Sequence, residues 1–281
     1  MREKPVAIVT GASSGIGMET ALALARRGYA VALAARRKDR LEEVARECAQ
    51  AAGTEGGPSL DDYPAVPTDV ADQRQVEDLV AQTMKKFARV DVLVNNAGFG
   101  LFDRVHETSD ADMRRIFDVN FFGVFYGCRA VAPVMIAQQR GHIFNIASII
   151  GKRGSPFHGA YSASKFAVIG LTDAMRVEMM PHRVRVTSVC PALTETEFFE
   201  HSRRGQKAGR SFQKFKGLMS ARAVGERIAR SVGKPVPEIV FSAGGKLLVV
   251  MSALFPRLAD RAMKLYHDDL VKALDQAGND T

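Results

Sequence analysis

Cysteine is scarce: Cys48, Cys128 and Cys190 are the only three in 281 residues, and they lie far apart. That excludes a disulfide framework and any CxxC-type metal spacing, and points to a reducing compartment. No apolar run reaches the ~18 residues that a membrane-crossing helix needs. The opening segment, MREKPVAIVTGASSG, lacks an apolar signal core and a cleavage site, so a cytoplasmic protein is expected. A general cationic character is missing too. The formal net charge is +8, but ten Lys/Arg against two acids fall between Glu200 and Lys234, leaving the rest of the chain neutral. That segment offers only Phe212 and Phe215 as stacking aromatics, which argues against a nucleic-acid partner. A solvated loop explains its charge; recognition of an acidic substrate is the alternative.

What is present suits one α/β domain with a real core: 46% apolar and 25% charged residues. Pro5–Thr10 is a short β-rich run ending in Gly11-Ala-Ser-Ser-Gly15-Ile-Gly17. A helical stretch to Arg27 follows, stopped by Gly28, and Ala30–Ala35 is a second apolar run. In this strand–turn–helix–strand unit Gly11 can make a tight turn, Gly15 lets backbone approach a pyrophosphate, and Gly17 lets the helix pack close. The helix N-terminus then offers N–H donors and a positive dipole end to phosphates. A purely structural turn is the alternative. The second strand ends in Ala35-Arg36-Arg37 and lacks the acid that holds a ribose 2′-OH in NAD-preferring folds. A guanidinium pairs with a 2′-phosphate through charge-assisted bonds, so the pair points to NADP(H). Otherwise the arginines only begin a solvated helix.

Further on, Gln50–Tyr63 reads as a loop, Ala65–Val66 as a short strand leading to Asp69-Val70, and Ala71–Phe87 as a helix. Asp69 is placed to bond an adenine amino group. Val90–Val94 is a buried strand ending in Asn95-Asn96-Ala97-Gly98. Ser109 can cap the next helix, which carries Asn120 among apolar neighbours, where an unbonded amide is costly. Gly123 and Gly127 leave room for close packing on that helix. His142–Ala147, Val184–Val189 and Glu238–Phe241 are strands; Ala160–Met180 and Ser220–Val232 are helices. Strands alternating with helices predict a parallel sheet covered on both faces. The glycine turn, Asp69, Asn95–Gly98, Ser148 and Pro191–Thr196 all fall at strand C-terminal ends, where such sheets bind ligands. Ser148 stands thirteen positions before Tyr161, and Tyr161 four before Lys165. On a helix Tyr161 and Lys165 share a face. An ammonium beside a phenol favours the phenolate, so the tyrosine pKa is expected to fall from its usual ~10. A surface Tyr and Lys on an ordinary helix is the alternative.

Taken together, TGASSGIG at Thr10–Gly17, NNAG at Asn95–Gly98, N-x-x-G at Asn120–Gly123, Ser148, and YSASK at Tyr161–Lys165 resemble the short-chain dehydrogenase/reductase family. The resemblance spans roughly Pro5–Phe198 and implies a Rossmann-like doubly wound sheet. It implies a catalytic set of Asn120, Ser148, Tyr161 and Lys165. Tyr161 would be the general acid/base, Ser148 would polarise the substrate oxygen, Lys165 would bond the nicotinamide ribose, and Asn120 would hold a relay water. Gly11, Ser13, Ser14, Gly15, Ile16 and Gly17 would hold the pyrophosphate, and Arg36 and Arg37 the 2′-phosphate. Asp69 and Val70 would meet adenine, and Asn96, Ala97 and Gly98 the ribose. Pro191, Thr194 and Thr196 would cover the nicotinamide, although Ala192 stands where the family has glycine. The implied function is NADP(H)-dependent hydride transfer on a carbonyl or secondary alcohol, with a non-catalytic dinucleotide sensor or scaffold as the alternative. The family implies a homo-dimer or homo-tetramer.

The organisation expected is a dinucleotide-binding and catalytic core at 1–198, a substrate lid with the last helix and strand at 199–244, and a helical extension at 245–281. Within 199–244, His201–Gly217 reads as a mobile lid. In the extension Leu247, Leu248, Met251, Leu254, Phe255 and Leu258 fall on one helical face flanked by Lys246, Arg257, Arg261 and Lys264, with Pro256 interrupting the helix. That face packs on its own domain or a partner subunit, or it anchors 245–266 on a membrane near a lipophilic substrate.

Overall fold

Val6–Thr10 is buried at every position, which is why it reads as an unbroken apolar run: both faces of its sheet are covered. In the computed structural model, which describes residues 4–53, 59–192, 219–241 and 243–279, this strand is β1. The other strands are β2 (Ala30–Ala35), β3 (Ala65–Pro67), β4 (Val92–Asn95), β5 (Gly141–Ile146), β6 (Val184–Cys190) and β7 (Glu238–Val240). They form one seven-stranded sheet in the order β3-β2-β1-β4-β5-β6-β7, and every strand pair is parallel. The expected doubly wound sheet is borne out. The chain runs outward from β1 to β3, then returns to place β4 on the other side of β1. The crevice at that reversal lies beyond the C-terminal ends of β1 and β4, where such sheets hold ligands.

Helices cover both faces. Helix α1 (Gly15–Ala25), α2 (Lys38–Ala51) and α7 (Ala221–Ser231) pack over one core with Val9, Val31 and Leu33. Helix α3 (Gln73–Phe87), α5 (Gly123–Gln138) and α6 (Gly159–Met179) pack over the other with Ile8, Leu93 and Ile143. Burying each such side chain contributes about 1.5–3 kcal/mol, offset by the entropy of ordering it. Caps set the helix starts. Asp72 accepts from the N–H groups of Arg74 and Gln75, so α3 begins at Gln73 rather than at Ala71 as the sequence suggested. Ser109 and Ser220 cap their helices in the same way. Residues 50 and 51, read from sequence as loop, close α2, and a 3-10 turn spans Leu60–Asp62.

Asn120 does not sit in a regular helix. Helix α4 (Asp110–Phe117) passes through a π-helical turn, Asp118–Phe122, before α5. The run 110–138 is long and apolar enough to cross a bilayer by composition, but it lies along the sheet with Val124, Cys128, Val131 and Met135 buried. Gly123 and Gly127 allow that closeness: a Cβ on Gly123 would crowd Val70, and one on Gly127 would collide with Asn95 Oδ1. Buried asparagines tie neighbouring elements together. Asn95 Nδ2 donates to Asn145 Oδ1 at 2.9 Å, and Asn145 Nδ2 donates to Thr172 Oγ1 at 3.0 Å. Past β7, α8 (Ala243–Leu254) and α9 (Pro256–Asn279) form the C-terminal extension, broken at Phe255 just before Pro256.

Candidate active site

At the end of β1 the chain turns through Gly11 at φ 65° and Gly15 at φ 54°, left-handed conformations that glycine adopts without penalty. Gly17 lies directly beneath; a Cβ there would run into the Gly11 carbonyl oxygen. No side chain caps α1 and no acid stands in its first turn. Its leading N–H groups therefore have no side-chain acceptor from the cap, which suits this helix end to an anion. Ser13, Ser14, Gly15 and Ile16 line a cavity of about 710 Å³ there. Gly17, by contrast, supports the turn from below.

Arg36 and Arg37 follow β2 and line the same cavity. Arg37 also donates to Ser13 Oγ at 3.4 Å, tying the second strand to the glycine turn. Asp69 and Val70 lie on the wall after β3. The Asp69 main-chain N–H is fixed by Gln75 Oε1 at 2.8 Å, and its Oδ1 accepts from the Ala71 N–H at 3.1 Å. Asn96, Ala97 and Gly98 complete the wall after β4. Asn96 contributes mainly as a strand tie, because its Nδ2 donates to the Thr10 and Gly11 carbonyl oxygens at 3.0 and 3.3 Å. Thr10 Oγ1 accepts from the N–H groups of Asn96 and Ala97. The C-terminal ends of the neighbouring strands β1 and β4 are thus tied together by a threonine inside the glycine motif.

The catalytic candidates converge on the other end of the cavity. Ser148 follows β5, where it caps a 3-10 turn at Ile149–Gly151. Tyr161 and Lys165 lie one turn apart on α6, and all three line the cavity. Tyr161 is 7% exposed and Lys165 3%. A hydrogen bond joins Ser148 to the phenol and favours its ionised form, but burial outweighs it and pushes the phenol above its ordinary value. This corrects the expectation that Lys165 depresses the tyrosine. The ammonium is 5.7 Å from the phenol ring centre and donates to the Ile146 carbonyl at 2.7 Å. Burial also drives Lys165 down to about 8, so its own charge fades as the pH turns alkaline.

Asn120 is fully buried but does not line the cavity. Its Oδ1 accepts from the Phe99 N–H and its Nδ2 donates to the Phe99 carbonyl, both at 3.0 Å. Nδ2 also reaches Ser164 Oγ at 3.2 Å, and Ser164 Oγ donates to the Tyr161 carbonyl at 2.7 Å. The π turn is thereby joined to α6 between Tyr161 and Lys165. Pro191 and Ala192 close the cavity past β6. Thr194, Thr196 and the expected lid at His201–Gly217 lie outside the described residues.

Among the lining residues that were not foreseen are Arg115, His158 and Tyr266. Tyr266 comes from α9, where Ala259, Met263, Tyr266 and Leu270 share one helical face. The same 3.6 periodicity in the sequence, followed past Pro256, would have exposed that face. Phe157 stacks on Phe102 and on His267, with ring centres 5.1 and 5.4 Å apart. Burial lowers the His158 pKa to about 4, keeping the ring neutral.

The buried lysine has a measurable cost. Its folded pKa, about 8, lies below its ordinary 10.5, so between those values the unfolded chain binds the proton more tightly. Stability therefore rises with pH from about 8 to 10.5, and the full cost is present below 8. Lys165→Met removes that cost and its slope, at the loss of one hydrogen bond worth about 1 kcal/mol. Without cofactor at pH 7, Lys165→Met is expected to melt several degrees higher than the natural chain. A lower melting temperature with the alkaline slope intact would contradict this.

Residues 5–207 match the family model described as short chain dehydrogenase. An oxidoreductase of Bacillus subtilis, YxnA, is 31% identical over 268 residues, which cover 93% of this chain and 72% of that protein. A short chain dehydrogenase/reductase from Burkholderia phymatum, solved in complex with NAD, superposes with a TM-score of 0.82 at 28% identity, covering 92% of this chain and 96% of the other. An alcohol dehydrogenase from Thermococcus sibiricus, complexed with 5-hydroxy-NADP, gives 0.72 at 30% identity, covering 85% and 96%.

Proposed function

The chain belongs to the short-chain dehydrogenase family and is an oxidoreductase; on that premise we propose that it exchanges a hydride between NADP(H) and a carbonyl or secondary-alcohol substrate. One observation carries the reading: Tyr161, Lys165 and Ser148 share a single cavity with the glycine turn and with Arg36 and Arg37. A dinucleotide fits that arrangement, because Gly11 and Gly17 let the turn close tightly where a Cβ would collide with Asn96, Ala97 and the Gly11 carbonyl, and the turn lines the cavity.

When bound, the nicotinamide supplies hydride chemistry at C4, which no side chain can. The residues do the rest. The α1 N-terminus and Ser13 to Ile16 hold pyrophosphate. Arg36 and Arg37 pair with the 2′-phosphate, Asp69 and Val70 receive adenine, and Asn96 to Gly98 flank the ribose. Lys165 bonds the ribose hydroxyls. Tyr161 holds its proton at the substrate oxygen while Ser148 Oγ bonds the same atom. Burial keeps the phenol protonated at neutral pH, the form that serves carbonyl reduction. Asn120 sets the distance between the π turn and α6, and in this reading holds a water that returns the proton to solvent. Pro191, Thr194 and Thr196 cover the nicotinamide.

In the same reading residues 1–198 are the catalytic core, 199–244 the substrate cover and 245–281 an added helical unit. The enzyme acts in the cytoplasm as a homo-dimer or homo-tetramer, with peripheral membrane contact through 245–266 and a small, lipophilic substrate. A sensor that binds the dinucleotide without chemistry is the weaker reading, because it gives no role to the buried Tyr161–Ser148 bond. The test is NADPH oxidation screened over ketones, aldehydes, 3-ketoacyl thioesters, steroids and sugars. Turnover of at least one class, faster with NADPH than NADH, is expected. NADPH binding without turnover of any class would instead favour the sensor.

A further inference from the structure

The C-terminal helices have two faces with different surroundings. One face of α9 docks on the domain: Ala259 and Leu270 are buried, Asp260 pairs with Arg153, and Tyr266 lines the cavity. The outward face is apolar and open to solvent. Leu247, Leu254, Phe255 and Leu265 are each at least 60% exposed, and Val250 and Leu258 about half. Their spacing along α8 and α9 places them on one side of each helix. A patch this continuous marks an interaction surface.

Charge identifies the occupant. Beside the apolar face stand Lys246, Arg257 and Arg261, all exposed; Lys264 is paired with Asp268, and the acid within residues 243–265, Asp260, is paired with Arg153. A second copy related by two-fold symmetry would bring this cationic rim against itself. An anionic lipid surface would complement both the rim and the leucines. We propose that the α8–α9 pair lies on an anionic bilayer, with its inner face forming the wall of the cavity at Tyr266. This rests on the functional reading above and gives it a partner: the substrate end of the enzyme is held against the lipid, from which a lipophilic ketone or alcohol can enter.

The test is co-sedimentation of the full chain with phosphatidylcholine vesicles, with and without phosphatidylglycerol, in the absence of cofactor. A Leu254→Glu, Phe255→Glu, Leu258→Glu variant is compared; all three side chains are exposed, and none lines the cavity. The natural chain is expected to pellet with anionic vesicles and to be released by high salt, and the variant to pellet roughly tenfold less. Matching circular dichroism spectra and melting temperatures show that the variant is folded. Vesicle recovery is read without cofactor, so failure of the NADP(H) reading would leave it unchanged. Natural chain left in the supernatant with anionic vesicles overturns the proposal. So does a natural dimer that becomes monomeric in the variant while neither binds lipid, since a second copy would then cover the face.

Discussion

Tyr161→Phe is expected to lower turnover by about 10²–10⁴-fold, the usual contribution of a positioned acid or base, while NADPH affinity is unchanged. The ring would stay in place, because Tyr161 packs with Leu101, Ile116 and Ala160; only the hydroxyl and its bond to Ser148 are lost. Direction adds a second signature. With the phenol raised by burial, carbonyl reduction in the natural chain should hold its rate through the neutral range. Alcohol oxidation, which needs the phenolate, should climb with alkaline pH. The measurement is kcat in both directions against pH, with NADPH binding followed by fluorescence. Undiminished turnover in the variant would remove Tyr161 from its role.

Arg36→Asp is expected to shift cofactor preference from NADPH toward NADH by roughly a hundredfold or more. A charge-assisted bond contributes about 1.5–3 kcal/mol, and the carboxylate adds repulsion toward the 2′-phosphate. Each 1.4 kcal/mol is about a tenfold change in affinity. Arg36 is exposed at the end of β2, so the fold should tolerate the change. Arg37, which also bonds Ser13, stays to hold the glycine turn and retains part of the phosphate affinity. Titration of both cofactors against both proteins gives the ratio directly, and an unchanged ratio would discredit the assignment.

The doubly wound sheet was readable because its signals are local and repeated: apolar runs that alternate with helical stretches, glycine stops, and a capping serine ahead of α4. The residues at the crevice were readable because a parallel sheet gathers the ends of its strands at one edge. Three things were not. The π turn at Asp118–Phe122 is set by Asn120 bonding Phe99 and Ser164, contacts between residues far apart in sequence. The tyrosine's response to burial depends on how deep α6 lies, which spacing does not express. Tyr266 was missed because the obvious apolar face of the extension is the one left in solvent, while a less apolar face of α9 meets the domain.

Phe157 adopts φ 62°, a left-handed backbone that costs a residue with a Cβ about 1–2 kcal/mol. It stands just ahead of α6, and its ring is clasped between Phe102 and His267. The tension in that bend is therefore sustained by a helix from the far end of the chain. Lifting the helix away would unclasp the ring and let the bend relax, four residues from Tyr161. Helix α9 thus acts as a latch on the geometry around Tyr161, so trimming it would disturb that end of the cavity as well as access to it.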